Sequence, residues 1–338
     1  MKKRIKMVDI ARAAGVSQTT VSLVLNNIDG VRIADDTRQR VIETARKLGY
    51  TPGPALNVLE RDVPPVIGVL INEISAAYPI DIIDGLHMSA RAQAVQLAVF
   101  VTDGVTDREA EALASLRRLN AGGVIYANTF TTGVHPTREL DQFPHVFVNC
   151  FRTDGKGVAV VPGERAGGFV AARHLMESGC KRIATITGDS WHTSAQRRLY
   201  GFRRGLTTGG QALAPELLIH GSWGHGSGYQ SMKQLLALPE PPDGVFCQND
   251  MMARGALTAI AEAGLLVPQD IAVIGFDDRE FASDLGLTTL IQPYADMATR
   301  AMAVLHRRKG LEAPTTLSVR CRLVQRETTR GPGPAQRS

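Results

Sequence analysis

The chain has only four cysteines in 338 residues (Cys150, Cys180, Cys247, Cys321), and no two of them form a C-x-x-C pair. This spacing offers neither a zinc-finger ligand set nor a disulfide framework, so the thiols read as small core residues of a reducing compartment. His87, His174, His192 and His225 also lack metal-ligand spacing and read as surface or satisfied side chains, so no metal and no cofactor is expected. No apolar run reaches the length of a membrane span. Asp9 and Arg12 interrupt anything resembling a signal-peptide core, so the expectation is a soluble, cytoplasmic protein without a membrane partner. Catalytic motifs are missing as well. The glycine-rich stretch GSWGHGSGYQ has no Lys-Ser/Thr for a P-loop, and His225 stands where a G-x-S-x-G elbow needs its first glycine. With no G-x-G-x-x-G after the first strand and no Cys/His nucleophile arrangement, an enzyme is disfavoured.

What is present is unevenly placed. Hydrophobic residues make up 44 % and charged residues 21 %, enough for packed cores in two or three domains. The whole net charge of +5 belongs to residues 1–61, with 11 Lys/Arg against 6 Asp/Glu, and the remainder is balanced. A basic excess confined to one end indicates a polyanion partner for that end alone. Residues 51–65 hold Pro52, Pro54, Pro64 and Pro65 and read as a linker. From Val66 onward short apolar runs (66–71, 95–102, 122–127, 145–150, 158–162, then 182–188, 243–250, 271–278) alternate with amphipathic stretches. Such alternation implies parallel sheets covered on both faces. Two series fit two doubly wound lobes, with ligand beyond the carboxyl ends of the strands.

The segment IKMVDIARAAGVSQTTVSLVLNN reads as a helix-turn-helix. Val8, Ala11 and Ala14 give a short first helix, Gly15 supplies the left-handed stop, and Ser17 stands at an N-cap. Val21, Val24 and Leu25 turn the second helix's apolar side inward, leaving Gln18, Thr19, Ser22 and Leu23 outside near its start. That is the part of a recognition helix that enters the major groove. A third helix over 35–48 presents Val41, Ala45 and Leu48 inward and closes at Gly49. The alternative is a three-helix protein-interaction module, which the local basic charge disfavours.

On the stretches VDIARAAGVSQTTVSLVLN, RKLGYTP and QNDMMARGALTAIAEAGLLVPQDIAVIGFDD the chain resembles the LacI/GalR repressor family, over about residues 5–326. The resemblance implies an all-α helix-turn-helix headpiece (1–50), a hinge helix and linker (51–65), and an α/β core of two doubly wound parallel-sheet lobes like periplasmic sugar-binding proteins. The first lobe is expected over 66–162 with 293–326, the second over 163–292, and a disordered tail over 327–338. It implies a transcription regulator that binds a near-palindromic DNA operator as a homodimer. Repression is the expectation, because a dimer on an operator blocks polymerase without a dedicated contact surface, and activation stays open as the alternative. With no apolar heptad repeat after Gln325, a tetramer is not expected. DNA-facing positions are Ser17, Gln18, Thr19, Ser22, Leu23 and Asn26, of which Gln18 can pair with adenine and Leu23 can make only apolar contacts. In the hinge, Leu59 matches a leucine wedged into the minor groove, with Leu56 beside it, although the two leucines could instead pair between dimer hinges. Asn57 stands where an arginine is usual, and Ala34 where a serine N-cap is common.

The effector, a sugar or sugar derivative, would lie between the lobes against Tyr78, Asn149, Arg198, Trp223, Asn249 and Asp277. Arg198 offers a planar fork, Asn249 a donor and an acceptor, Asp277 an acceptor for two hydroxyls, and Trp223 a stacking face. Each has a plainer alternative: Arg198 paired with Asp189, Asp277 capping a turn, Trp223 packing in the core. Asn149, where an aspartate is frequent, lowers the cleft's charge and leaves a neutral and an acidic sugar both open. A transport-type binding protein would share this core but not the headpiece.

Overall fold

The computed structural model describes residues 7–25, 33–48, 65–74, 81–307 and 315–331. The hinge positions Leu56 and Leu59, as well as Asn26, Gly49, Tyr78 and the tail from 332, lie outside these described residues.

Three short helices form the amino-terminal unit: α1 (Met7–Ala14), α2 (Gln18–Leu25) and α3 (Asp35–Lys47). Its core is Ile10, Ala11, Ala14, Val21, Val24, Val41 and Ala45. Two expectations are corrected here. Val8 is 42 % exposed, and Ile10, fully buried, takes the inward place, because 7, 10, 11 and 14 form the i, i+3, i+4, i+7 stripe. Leu48 lies beyond the last turn of α3 and is exposed, so Val41 and Ala45 seal that helix without it.

The rest is two α/β lobes of like design. The first contains β1 (Val66–Ile71), α4 (Asp81–Ala92), β2 (Gln96–Val101), α5 (Thr106–Arg118), β3 (Gly123–Val134), β4 (His145–Arg152) and β5 (Val158–Pro162). The second contains α6 (Glu164–Glu177), β6 (Ile183–Thr187), α7 (Thr193–Thr208), β7 (Leu218–His220), α8 (His225–Leu236), β8 (Gly244–Cys247), α9 (Asp250–Glu262), β9 (Ala272–Asp277), α10 (Glu280–Asp284) and β10 (Thr288–Ile291). Then α11 (Tyr294–Arg307) packs on α4, β11 (Thr315–Val319) joins the first sheet beside β5, and β12 (Leu323–Val324) joins the second beside β10. The sheet orders are β11-β5-β4-β3-β1-β2 and β12-β10-β9-β8-β6-β7. All pairings are parallel except β10 with β12. Each sheet therefore reverses its winding once, between β1 and β3 and between β6 and β8, where doubly wound sheets open a crevice at their carboxyl ends.

The carboxyl-terminal course differs from the expected boundaries. Residues 323–326 were expected in the first lobe and 327–331 in a disordered tail. Leu323 pairs with Leu290, and the Thr328 hydroxyl donates to the Val273 carbonyl at 2.7 Å, so this segment closes the edge of the second sheet. Thr329 meets His174 at 2.8 Å and Thr288 at 2.9 Å. These buried hydroxyls explain why a polar stretch is ordered: each takes a partner that would otherwise be lost to burial. The chain thus passes between lobes three times, after β5, after β10 and after β11.

Candidate functional site

The sequence VSQTT makes the start of α2 a cap with free donors beyond it. Gly15 adopts φ +67°, and the Val16 amide donates to the Ala11 carbonyl at 3.1 Å, closing α1 in a Schellman turn. The Ser17 hydroxyl then accepts the Thr20 amide at 3.0 Å, the bond expected of an N-cap. Gln18 and Thr19 stand exposed on the first turn, with Ser22 and Leu23 half-buried a turn later. No acidic residue occupies that first turn, so the positive end of the helix dipole is not neutralised locally and favours an anion such as a backbone phosphate.

The start of α3 is less well made. The Ala34 carbonyl accepts the Arg38 amide at 3.0 Å, which puts a methyl side chain at the capping position. Ala34→Ser is expected to stabilise the three-helix unit by about 1 kcal/mol, read as a higher melting temperature of that unit's transition in calorimetry of the full chain.

Between the lobes, the carboxyl ends of both sheets bring together five of the six expected effector residues. Arg198, on the second turn of α7, is 3 % exposed. Asp189 is not its partner: Arg198 donates to the Gln248 carbonyl, lies 3.5 Å from Glu164 and 3.8 Å from Asp277, and sits 3.7 Å over the Phe276 ring. Trp223 is 7 % exposed and packs in the second core, but its indole N–H donates to His192 Nδ1 at 2.7 Å and Arg198 lies 5.7 Å over its ring. Asn249 caps α9, accepting the Met252 amide at 2.9 Å and donating to the Trp223 carbonyl at 2.8 Å. Asn149 accepts the Thr131 hydroxyl at 2.8 Å and donates to the Asn128 carbonyl at 2.9 Å. Both amides therefore hold the cleft's loops in place with one donor and one acceptor each. Asn149, Trp223 and Asp277 all have positive φ (57°, 64° and 122°), the concentration of backbone strain typical of ligand sites.

Three further residues escaped the sequence reading: Phe130, His192 and Glu164. Between Ala127 and Thr132, β3 advances five residues while β4 advances two, and the excess is thrown out of the sheet as a bulge. The bulge carries Phe130 across to the second lobe, where it stacks on His192 (centroids 4.7 Å apart, 20° between planes) and lies 5.8 Å from Trp223. Because His192 Nδ1 accepts from the indole, its proton sits on Nε2, and burial holds its pKa below the ordinary histidine value. Glu164, the first residue of α6, is 1 % exposed beside Arg198. The signal that could have found Glu164 and His192 was their place directly after β5 and β6. Deeper in the second lobe, Asp250 accepts the Thr289 hydroxyl at 2.6 Å and the Arg279 amide at 2.7 Å. Burial, helped by the charge of Asp277, pushes the pKa of its carboxyl up, against the two hydrogen bonds it accepts.

Burial raises all four cysteine thiols well above their usual range, which leaves them inert as nucleophiles. Among the described residues no helix is long and apolar enough to cross a membrane, and no group of three His, Cys, Asp or Glu side chains is placed to hold a metal.

Residues 6–53 match the family model described as bacterial regulatory proteins, lacI family, and residues 172–329 match a periplasmic binding protein-like domain. The ribose operon repressor of Escherichia coli K12 is 33 % identical over 324 residues, covering 94 % of this chain and 96 % of its own. The HTH-type transcriptional repressor PurR of Mannheimia succiniciproducens is 30 % identical over 306 residues, covering 89 % and 90 %. Among solved structures, the lac repressor dimer bound to operator and the anti-inducer ONPF superposes with a TM-score of 0.67 at 26 % identity, covering 97 % of this chain and all of that one. The complex of the regulator CelR with cellobiose gives 0.63 at 25 % identity, covering 96 % of this chain and all of that one. A capped recognition helix and a two-lobed cleft on one chain thus agree with relatives spanning nearly its whole length: the protein is a DNA-binding transcriptional regulator of the LacI family.

Proposed function

We propose that this regulator is a homodimeric repressor whose hold on a near-palindromic operator is set by a small carbohydrate effector closed between its lobes. The observation that carries this reading is the buried Arg198, flanked by Glu164, Asp277 and the Trp223 ring where the carboxyl ends of the second sheet face the first lobe. A planar cation, carboxylates and one indole face are the inventory that hydroxyl-rich rings need. The relatives support repression and the dimer: two are named as repressors, and the lac repressor was solved as a dimer on operator. They also support a regulator without catalytic activity.

On the DNA side, Ser17, Gln18, Thr19, Ser22, Leu23 and Asn26 form the proposed reading surface, with Leu56 and Leu59 of the hinge at the minor groove. Two such surfaces related by a twofold axis match a twofold-symmetric site. Operator affinity should fall steeply with added salt, because the basic excess of residues 1–61 displaces counterions from phosphate. Gln18→Ala should lose discrimination at one base pair per half-site, at a cost of about 1–3 kcal/mol there and little elsewhere.

The experiment is to select operator sequences from a random DNA pool with the full chain, then to titrate the selected site by fluorescence anisotropy with and without members of a sugar panel. Selection of a twofold site that a sugar releases supports the proposal. A chain that selects no sequence, or a Gln18→Ala variant with unchanged base preference, refutes the assignment of α2.

A further inference from the structure

Glu164 is an unusual residue to find sealed between two lobes. Its side chain is fully buried at the head of α6, and its nearest cation, Arg198 Nη2, is 3.5 Å from Oε1, long for a charge-assisted hydrogen bond. Glu164 Oε2 makes no hydrogen bond among the described residues, and neither does Arg198 Nε. A buried acceptor and a buried donor are thus left unmatched, on two side chains that approach each other to 3.5 Å in the crevice where the two sheets end. Buried polar groups are nearly always satisfied, and the exceptions concentrate where a ligand completes the pairing.

The groups facing this carboxylate come from both lobes. Thr131, on the β3 bulge, and Ser194, on the first turn of α7, set hydroxyls near it that favour its charged form, and Arg198 and Arg197 favour it too. Burial opposes them and prevails, raising its pKa. Cys321, protonated by burial, adds no charge. Arg197 turns its guanidinium over the Phe151 ring at 5.1 Å, so it is already engaged with the first lobe. Arg198 is shared between Glu164 and Asp277. The cleft therefore holds no cation in excess of its carboxylates, and an anionic guest would bring a buried charge without a counterion.

We propose that Glu164 is an effector-binding and specificity-determining residue. Its Oε2 accepts, and Arg198 Nε donates, to neighbouring hydroxyls of a neutral sugar, while the Glu164 carboxylate rejects sugar acids and sugar phosphates. This rests on the cleft being the effector site and resolves the choice between neutral and acidic effectors that Asn149 left open. Its position suits the role, because Glu164 follows the first crossing between lobes and meets residues from both, so a sugar seated on it engages the closed arrangement preferentially.

The test uses the full chain and matched pairs of probes: D-glucose with D-glucuronate and glucose 6-phosphate, D-galactose with D-galacturonate, and D-ribose with ribose 5-phosphate. Binding is read by thermal shift and isothermal titration for the wild type, Glu164→Gln and Arg198→Ala. The expected result is that the wild type binds one neutral sugar at least tenfold more tightly than its charged partners, and that Glu164→Gln compresses this ratio at least tenfold. A wild type that prefers an acid or a phosphate, or binds no neutral sugar, overturns the proposal without recourse to any variant. If Arg198→Ala loses binding but Glu164→Gln leaves the ratio unchanged, Glu164 is not the selector and the cleft reading stands. If Arg198→Ala binds the sugar like the wild type, the cleft reading itself falls.

Discussion

Arg198→Ala is expected to abolish the effector response while operator affinity without effector stays close to that of the wild type. Among the described residues the guanidinium reaches a carboxylate of α6, a carboxylate of β9, the backbone after β8 and the faces of two aromatic rings. Truncating one partner of a buried, hydrogen-bonded charge pair typically costs about 2–5 kcal/mol. At roughly 1.4 kcal/mol per factor of ten, effector affinity should fall by about one and a half to three and a half orders of magnitude. Part of that loss returns as altered stability, since Glu164 loses the neighbouring cation that favours its charged form. The Gln18 face of α2 lies in a separate unit with its own core, so DNA reading provides an internal control. The measurement is an operator titration with and without the effector identified for the wild type. Release at wild-type effector concentrations would place the pocket elsewhere.

Gly201→Ala should be the most damaging single-methyl change in the second lobe. A Cβ on Gly201 would fall inside the van der Waals envelope of the Arg165 carbonyl, and one on Gly168 would meet the Arg198 carbonyl in the same way. These two glycines are the tightest contact points at which α6 and α7 cross, backbone against backbone, with Gly205 against Phe169 a further one. Overpacking a core usually costs about 1–3 kcal/mol, and here the obstacle is backbone, which cannot rotate away, so about 3 kcal/mol or more is expected. Urea unfolding should show a lower midpoint at unchanged slope. The damage should also reach binding, because Glu164 and Arg198 ride on the two helices that would be pushed apart. Gly226 on α8 supplies the control: its Cβ would meet open space, so Gly226→Ala should be neutral or stabilise by up to about 1 kcal/mol. Equal stability of the two variants would show that close approach is not why residue 201 is glycine.

How much of this could be read beforehand depends on how local the determinants are. The capped start of α2 was legible because Gly15, Ser17 and the Val21/Val24 pair act within two turns of one another. The runs that became β1 to β6, β8 and β9 were legible as continuous apolar stretches between polar ones. The remaining strands were not: β7 and β12 have three and two residues, and β10 and β11 begin with paired threonines, so none offers an apolar run. Their pairing is dictated by the neighbours they dock on, as with Thr288, whose hydroxyl meets Thr329 and the Arg326 amide, and Thr328, whose hydroxyl donates to the Val273 carbonyl. The same holds at the cleft. Arg198, Trp223, Asn249 and Asp277 stand out through motifs, whereas Phe130 reaches its place only because β3 bulges, and Glu164 matters only because two lobes close over it.

The chain has two tryptophans, Trp191 and Trp223, and both flank His192, at centroid distances of 3.8 Å and 5.7 Å. One indole is open to water and the other is buried and hydrogen-bonded. The molecule therefore carries a label-free optical gauge at the mouth of its own cleft. Every shift in tryptophan emission originates there, so a change in the packing of Phe130 and His192 against Trp223 can be followed in time on the unmodified protein.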